Sequence, residues 1–241
     1  MRYRGSLLGT VWSIINPLLM LAVYTFVFSV IFKARWNIEV ESRIDFALIL
    51  FCGLIPFNIF AETLSRAPTI VVGNPNYIKK VIFPLELLPL TALGTALING
   101  IISALILVAA KWAVSGAIHL TIFYLPIVVF PLLLLTAGLA WFIASLGVYI
   151  RDINQIMPVI ITALLFLSPI FYPVSVIPPK LKPLYLLNPI GYVVEDSRRV
   201  LLWGEHPDWV WLLAGSVTGA VAALGGYMWF QKTRRGFADV I

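Results

Sequence analysis

The sequence predicts an all-α integral membrane protein. We expect six transmembrane helices, a short helix on one face between the second and third, and re-entrant helices before the last span. Three observations lead there. Hydrophobic residues make up 61% of the 241 and charged residues 12%, about half the roughly 25% that coats a soluble domain. Mean hydropathy is +0.97. The apolar residues also fall in runs long enough to cross a bilayer, for which a helix needs about 20 residues.

Taken in order, residues 5–32 carry no charge and follow Arg2 and Arg4. The run is too long for the apolar part of a signal peptide, and no small-residue cleavage site follows, so it reads as a retained anchor. It supplies the first span, placed at 7–32. The second lies at 46–66, with Glu62 near its end and Arg66 four residues later, the favourable order for an ion pair on one helix face. Residues 87–111 supply the third and 120–150 the fourth, with Pro126 and Pro131 shaping its entry. The fifth, 153–176, is interrupted by Pro158, Pro169 and Pro173, and the sixth runs 209–230. No repeat of fixed period and no linker divides the chain, so residues 1–241 form one domain.

An even number of spans leaves both ends on one side. Arg2 and Arg4 precede the first span and Lys232, Arg234 and Arg235 follow the last. Basic flanks stay on the inner side, which places both termini in the cytoplasm. The loops are nearly balanced, with nine basic residues inside and eight outside, so the termini carry the orientation.

Three stretches are not spans. Asn74 followed by Pro75 is a helix-start signal, a capping side chain and then a residue of preset φ with no amide to leave unpaired. Pro84 disfavours helix at Phe83. A helix of two turns over 75–82 results, carrying Tyr77, Ile78 and Val81 beside Lys79 and Lys80. It reads either as an interfacial connector with snorkelling lysines or as a docking element for a cytoplasmic partner. Arg151 and Asp152 sit in a tight turn between the fourth and fifth spans. Adjacent residues on a helix point about 100° apart, so they need not pair. Residues 177–202 hold proline-broken apolar pieces, which read as re-entrant or interfacial helices covered by protein or water. Tyr172, Tyr185, Tyr192, Trp203, Trp209 and Trp211 suit an aromatic belt.

Several chemistries find no residues. Cys52 is the single cysteine, and His119 and His206 are far apart, so no cluster has metal-ligand spacing. No Gly is followed by Lys, which excludes the phosphate cradle of the Walker A type. Glu62 is the one acid within a span, whereas an ion-driven carrier places several ionisable groups on its path. The chain therefore needs no cofactor of its own, and any energy for transport comes from elsewhere.

The opening 2–17, Arg-Tyr-Arg-Gly-Ser-Leu-Leu-Gly-Thr-Val-Trp-Ser-Ile-Ile-Asn-Pro, resembles that of the type-2 ABC exporter permeases that move polysaccharides. Gly53-Leu-Ile-Pro-Phe57, Asn74-Pro75 through Lys79-Lys80, Pro84-Leu-Glu86, Tyr149-Ile-Arg-Asp-Ile153, Leu167-Ser-Pro-Ile-Phe-Tyr172, Ile177-Pro-Pro179 and Leu187-Asn-Pro-Ile190 are similar in kind and order. The permeases for lipid-linked O-antigen match best, with those for teichoic acid and capsule nearby. The resemblance implies a homodimer in the bacterial inner membrane, paired with two copies of a separate ABC ATPase that binds ATP and Mg. It implies that 75–82 is the coupling helix, and that 177–202 forms gate helices with Pro178, Pro179, Tyr185, Asn188 and Pro189. The substrate would be a polysaccharide on undecaprenyl diphosphate. Membrane lipids surround such a protein and no nucleic acid enters. Family members usually begin with an amphipathic helix ahead of the Arg-Tyr motif. This sequence begins at the motif, so either its start lies upstream or the subunit lacks part of the surface where the carrier's headgroup enters.

The glycan path would lie between protomers. Trp12, Asn16, Tyr24 and Phe28 recur at spacings of four, eight and four along the first span, near one face. Aromatic faces stack on sugar rings without gripping any one of them, or these side chains pack within their own subunit. Two further readings stand beside the exporter. One is a membrane-embedded enzyme or assembly factor of envelope glycan synthesis, and the other is a type-2 permease for another lipid or a drug-like substrate.

Overall fold

A computed structural model describes residues 12–24, 26–27, 43–79, 83–181, 185 and 188–240. Its regular structure is helical, with no strand among the described residues. Helix α1 spans Trp12–Tyr24, α2 Arg43–Ile70, α3 Pro75–Lys79 and α4 Leu87–Ser115. A 3-10 turn, Leu120–Tyr124, leads into α5 at Leu125–Tyr149, and α6 covers Ile153–Leu167. Helix α7, Pro189–Arg198, runs on into a π turn at Arg199–Trp203. Helix α8 is Trp209–Thr233, followed by a 3-10 turn and α9 at Phe237–Val240.

Four stretches are long and apolar enough to cross a membrane: Ile44–Ile70, Leu87–Ser115, Leu120–Tyr149 and Trp209–Gly236. They answer to the second, third, fourth and sixth expected spans. Of the first, α1 is described and much of the remainder of 7–32 lies outside the described residues. The fifth is corrected. Helix α6 ends at Leu167 instead of 176, and its 15 residues extend about 22 Å, so the chain reaches the α7 end partly in non-helical form. The reason is Pro169, whose ring pushes the preceding residue out of the α region. Ser168 is accordingly extended, with ψ 145°.

Helix α2 is the axis of the bundle. Residues 46–57 are buried all round, as befits a helix with no polar face, and α4, α5, α6 and α7 pack on it. It continues past 66 because the charges near its end are neutralised within the protein. Arg66 pairs with Glu62 at 2.8 Å, the pair expected from their spacing. Asn99 of α4 donates to both Glu62 oxygens, at 3.1 and 3.3 Å. At the far end of α4, Gly116 adopts φ 67° and returns its amide to Trp112 O at 2.8 Å, a left-handed cap that glycine supplies without strain.

Among the described residues, α5 and α8 make the most extensive contact between helices. A Cβ on Gly138 would collide with the backbone of Ala222, and one on Gly226 with the backbone of Gly138. Small residues let membrane helices approach this closely, so that dispersion contacts replace the hydrophobic drive that lipid cannot provide. The end of α2 meets α5 in the same way, where Gly147 lies against Pro68. These contacts gather the end of α2, α3, the start of α4, the α5–α6 turn and α9 at one end of the bundle. The chain after α6, α7 and the start of α8 lie at the other.

Gly138→Val should therefore be poorly tolerated, since overpacking against backbone costs about 1–3 kcal/mol or more. Gly94→Ala, whose added Cβ meets nothing within 4 Å, should be neutral. Thermal melts of both variants in detergent check this, and equal midpoints would refute the close crossing of α5 and α8.

Candidate functional site

At the α7 end the chain must leave a helix inside the bundle. Carbonyls freed where α6 stops need partners, because an unpaired buried backbone group is costly. Each finds one. The Tyr172 hydroxyl donates to Phe166 O and Leu167 O, both at 3.1 Å. Arg198 supplies the next two, with Nη1 donating to Pro169 O and Nη2 to Ile170 O, both at 2.8 Å. Its Nε reaches back to Ile49 O on α2 at 3.3 Å, and Glu195 lies 3.3 Å from Nη1. The side chain is 0% exposed. One guanidinium thus ties α2, the broken segment and α7 together.

Sequence reasoning counted Arg198 only as a loop charge. The available signal was a cation three residues after Glu195 and just ahead of the apolar run Val200–Leu202. Gly53, noted only within a motif, makes the room. A Cβ there would stand 2.9 Å from Nη2 of Arg198 and 3.1 Å from Val194.

Asn188 and Pro189 open α7. Asn188 Oδ1 accepts from Ile190 N at 3.1 Å and Nδ2 donates to Ser168 Oγ at 3.0 Å, while Pro189 at the first helical position needs no amide partner. Tyr185 packs on Tyr192, ring centres 5.4 Å apart, and Tyr192 stacks on Trp211 at 4.1 Å. The structure therefore brings Tyr185, Asn188 and Pro189 together. Pro178 and Pro179 are exposed around a 3-10 turn.

A cavity of about 220 Å³ between α5, α7 and α8 is lined by Pro131, Pro189, Tyr192, Asp196 and Trp211. The Asp196 carboxylate accepts from Asp208 N at 3.1 Å and lies 4.0 Å from Arg199. Asp208 in turn caps α8 by accepting from Val210 N and Trp211 N. Burial pushes Asp196 up to about 6, against the opposing pull of the Asp208 amide.

The other end carries α3. The Asn74 side chain here donates backward to Ile70 O at 2.8 Å, so this described bond closes α2 instead of opening α3. Tyr77 is 40% exposed and its ring meets Phe83 at 4.7 Å. The side chains of Ile78 and Lys79, and all of Lys80 and Val81, lie outside the described residues. Arg151 and Asp152 are exposed in the turn between α5 and α6. Unforeseen from sequence was the closing of this end by the last residues. Phe237 is 0% exposed against Phe230 and Tyr149, Arg234 pairs with Glu86 at 3.0 Å, and Trp141 donates to Glu86 O at 2.8 Å.

Along the expected path, α1 carries Trp12, Asn16 and Tyr24 on one helix. The side chains of Asn16 and Tyr24, and the whole of Phe28, lie outside the described residues. Helix α6 buries only Met157 and exposes Asn154, Gln155 and Thr162 along with its apolar residues.

The chain was compared with known proteins. A family model described as ABC-2 type transporter matches residues 1–202. The chain is 29% identical over 244 residues to the O-antigen export system permease protein RfbA of Myxococcus xanthus, covering all of this chain and 90% of that protein. It is 24% identical over 242 residues to a protein of the same name from Klebsiella pneumoniae, with the same coverage. To the polysialic acid transport protein KpsM of Escherichia coli it is 26% identical over 207 residues, 84% of this chain and 77% of that one.

Two measurements check the α7 end. Arg198→Met leaves buried carbonyls unpaired at about 1–3 kcal/mol each. It should lower the melting midpoint and open the buried Cys52 thiol to maleimide. Arg198→Lys should rescue only in part, because an ammonium cannot fork to separate carbonyls. Wild-type melting with Cys52 still protected would rule out this role. The raised Asp196 value means that the native state holds its proton more tightly than the unfolded chain. That contribution to stability is complete below about 3.8 and is lost as pH rises to about 6. Asp196→Asn should flatten this dependence in a pH series of melts.

Proposed function

The chain belongs to the ABC-2 type transporter family, and we propose that it is the membrane-spanning permease subunit of an ATP-driven exporter of lipid-linked polysaccharide, of the O-antigen kind. The observation that carries this is the match of the whole chain to O-antigen export permeases. Family membership sets it among transporters, and so away from the enzyme of glycan synthesis that the sequence left open. Hydrolysis of ATP with Mg is the work of a separate ABC ATPase, two copies to a complex. The glycan travels on undecaprenyl diphosphate from the cytoplasm across the bacterial inner membrane.

In this reading the α3 end faces the cytoplasm, as the basic flanks suggest. Helix α3, with Asn74, Pro75, Tyr77, Ile78, Lys79, Lys80 and Val81, is the coupling helix, and Arg151 and Asp152 form a second contact. The exposure of Tyr77 supports this, since a large ring at an aqueous interface gains by being covered. Helix α6 supports a homodimer. It exposes amide and hydroxyl side chains along a short apolar helix, which suits a second copy better than lipid. Trp12, Asn16, Tyr24 and Phe28 line the path between protomers. The gate comprises Pro178, Pro179, Tyr185, Asn188 and Pro189, the last three braced against the segment that Arg198 holds.

Covering Tyr77 or Ile78 in a partner groove contributes roughly 1.5–3 kcal/mol each. The double variant Tyr77→Ala, Ile78→Ala should insert normally, lose most co-purification with the ATPase, and leave carrier-linked glycan accumulated in the inner leaflet, as deletion of the chain should. Undiminished ATPase recovery and normal surface glycan would argue decisively against the reading.

A further inference from the structure

One cavity of the bundle has no described residue of α1 or α6 in its lining. A crevice of about 260 Å³ opens between α2, α4 and α5. Its wall on α4 is Leu97, Gly100, Ile101 and Ala104, facing Ile55 and Ile59 of α2 and Val129 of α5. Gly100 is needed for this shape, since a Cβ there would stand 2.6 Å from Ile59 Cδ1. The lining is almost wholly apolar. Its two polar side chains are the buried thiol of Cys52 and Ser197, whose hydroxyl already donates to Val193 O at 2.6 Å.

Water does not settle in such a space, because it needs two or more polar partners. The crevice lies along the membrane-crossing lengths of its three helices, and Ile101 at its edge is 52% exposed, so it opens at hydrocarbon depth. Its occupant is therefore an alkyl chain. The α4 sequence adds a headgroup contact. Lys111 is eleven residues beyond Gly100 and seven beyond Ala104, so it lies within about 20° of both on the helix and, measured from Ala104, about 10 Å further from the α3 end. That is the depth at which a tail emerges into the phosphate layer, and the exposed Trp112 beside it suits the same interface. Among the described residues none forms an ion pair with Lys111.

We propose that this crevice is a binding site for one phospholipid of the leaflet opposite α3, with an acyl chain between α2, α4 and α5 and its phosphate at Lys111. The bound chain fills the gap beside the α2 axis, against a lining to which α1 contributes no described residue.

The test uses the full-length chain with its ATPase in nanodiscs that contain phosphatidylglycerol bearing a diazirine at the end of one acyl chain. After irradiation, adducts should concentrate on residues 97–104 and 125–133, well above the level on the lipid-facing residues of α8. Ala104→Phe fills the crevice and should remove most of that labelling. Lys111→Gln is an interfacial change that leaves the fold alone, and should lower it about fivefold, the effect of one lysine near an anionic headgroup. Should Ala104→Phe fail to fold, the wild-type map and Lys111→Gln still decide. Equal labelling of α4 and α8, or labelling indifferent to Lys111→Gln, overturns the proposal. Displacement of the adducts by equimolar polyprenyl phosphate also overturns it, by assigning the crevice to an isoprenoid tail.

Discussion

A membrane protein may break a helix only where other groups replace the hydrogen bonds it gives up. Here that constraint falls on the turn after α6, and the side chains of Tyr172 and Arg198 meet it at two carbonyls each. Arg198 covers two successive carbonyls of the broken segment and reaches a third on α2. Burying a guanidinium is costly, and such a charge is tolerated only where geometry and hydrogen bonding are near complete. A carboxylate beside it and three carbonyls within reach provide that. The rest of the α7 end follows. Helix α7 must lie against α2, Gly53 must lack a side chain, and Asn188 must start α7 where its amide can hold Ser168.

The second principle of construction is closeness. Helices α5 and α8 cross with backbone on backbone at Gly138 and Gly226, and α2 meets α5 at Gly147. Inside lipid such contacts gain dispersion energy that bulkier residues would forfeit. The outcome is a frame of α2, α4, α5 and α8, with α1 and α6 at its margin. Helix α6 packs on that frame through Met157, Ile161, Leu164 and Leu165 and leaves most of its other side chains exposed.

Much of this was legible in the sequence. Uncharged runs located the four long helices, and the spacing of Glu62 and Arg66 foretold their ion pair. Pro75 marked the start of α3, because proline acts locally. Hydropathy alone overran α6. The run to 176 stays apolar after the helix has ended, so its length was read from composition where Pro169 decided it. Arg198 was passed over for a different reason. Its three carbonyl partners come from residues 28, 29 and 149 positions away, and no local pattern records such a meeting. Likewise, the Asn74 amide closes the helix behind it, a choice between two helix ends that lie four residues apart.

The packing of α9 has a practical bearing on how this protein is handled. The last helix touches α3, and its Phe237 plugs the space between Phe230 and Tyr149. If α3 is the coupling helix, as proposed, a purification tag or fluorescent protein fused directly behind α9 would stand on the ground that the docking ATPase needs. It could mimic a coupling defect in an otherwise intact permease. A flexible spacer, or a reporter placed in the turn around Gly116, keeps that ground clear.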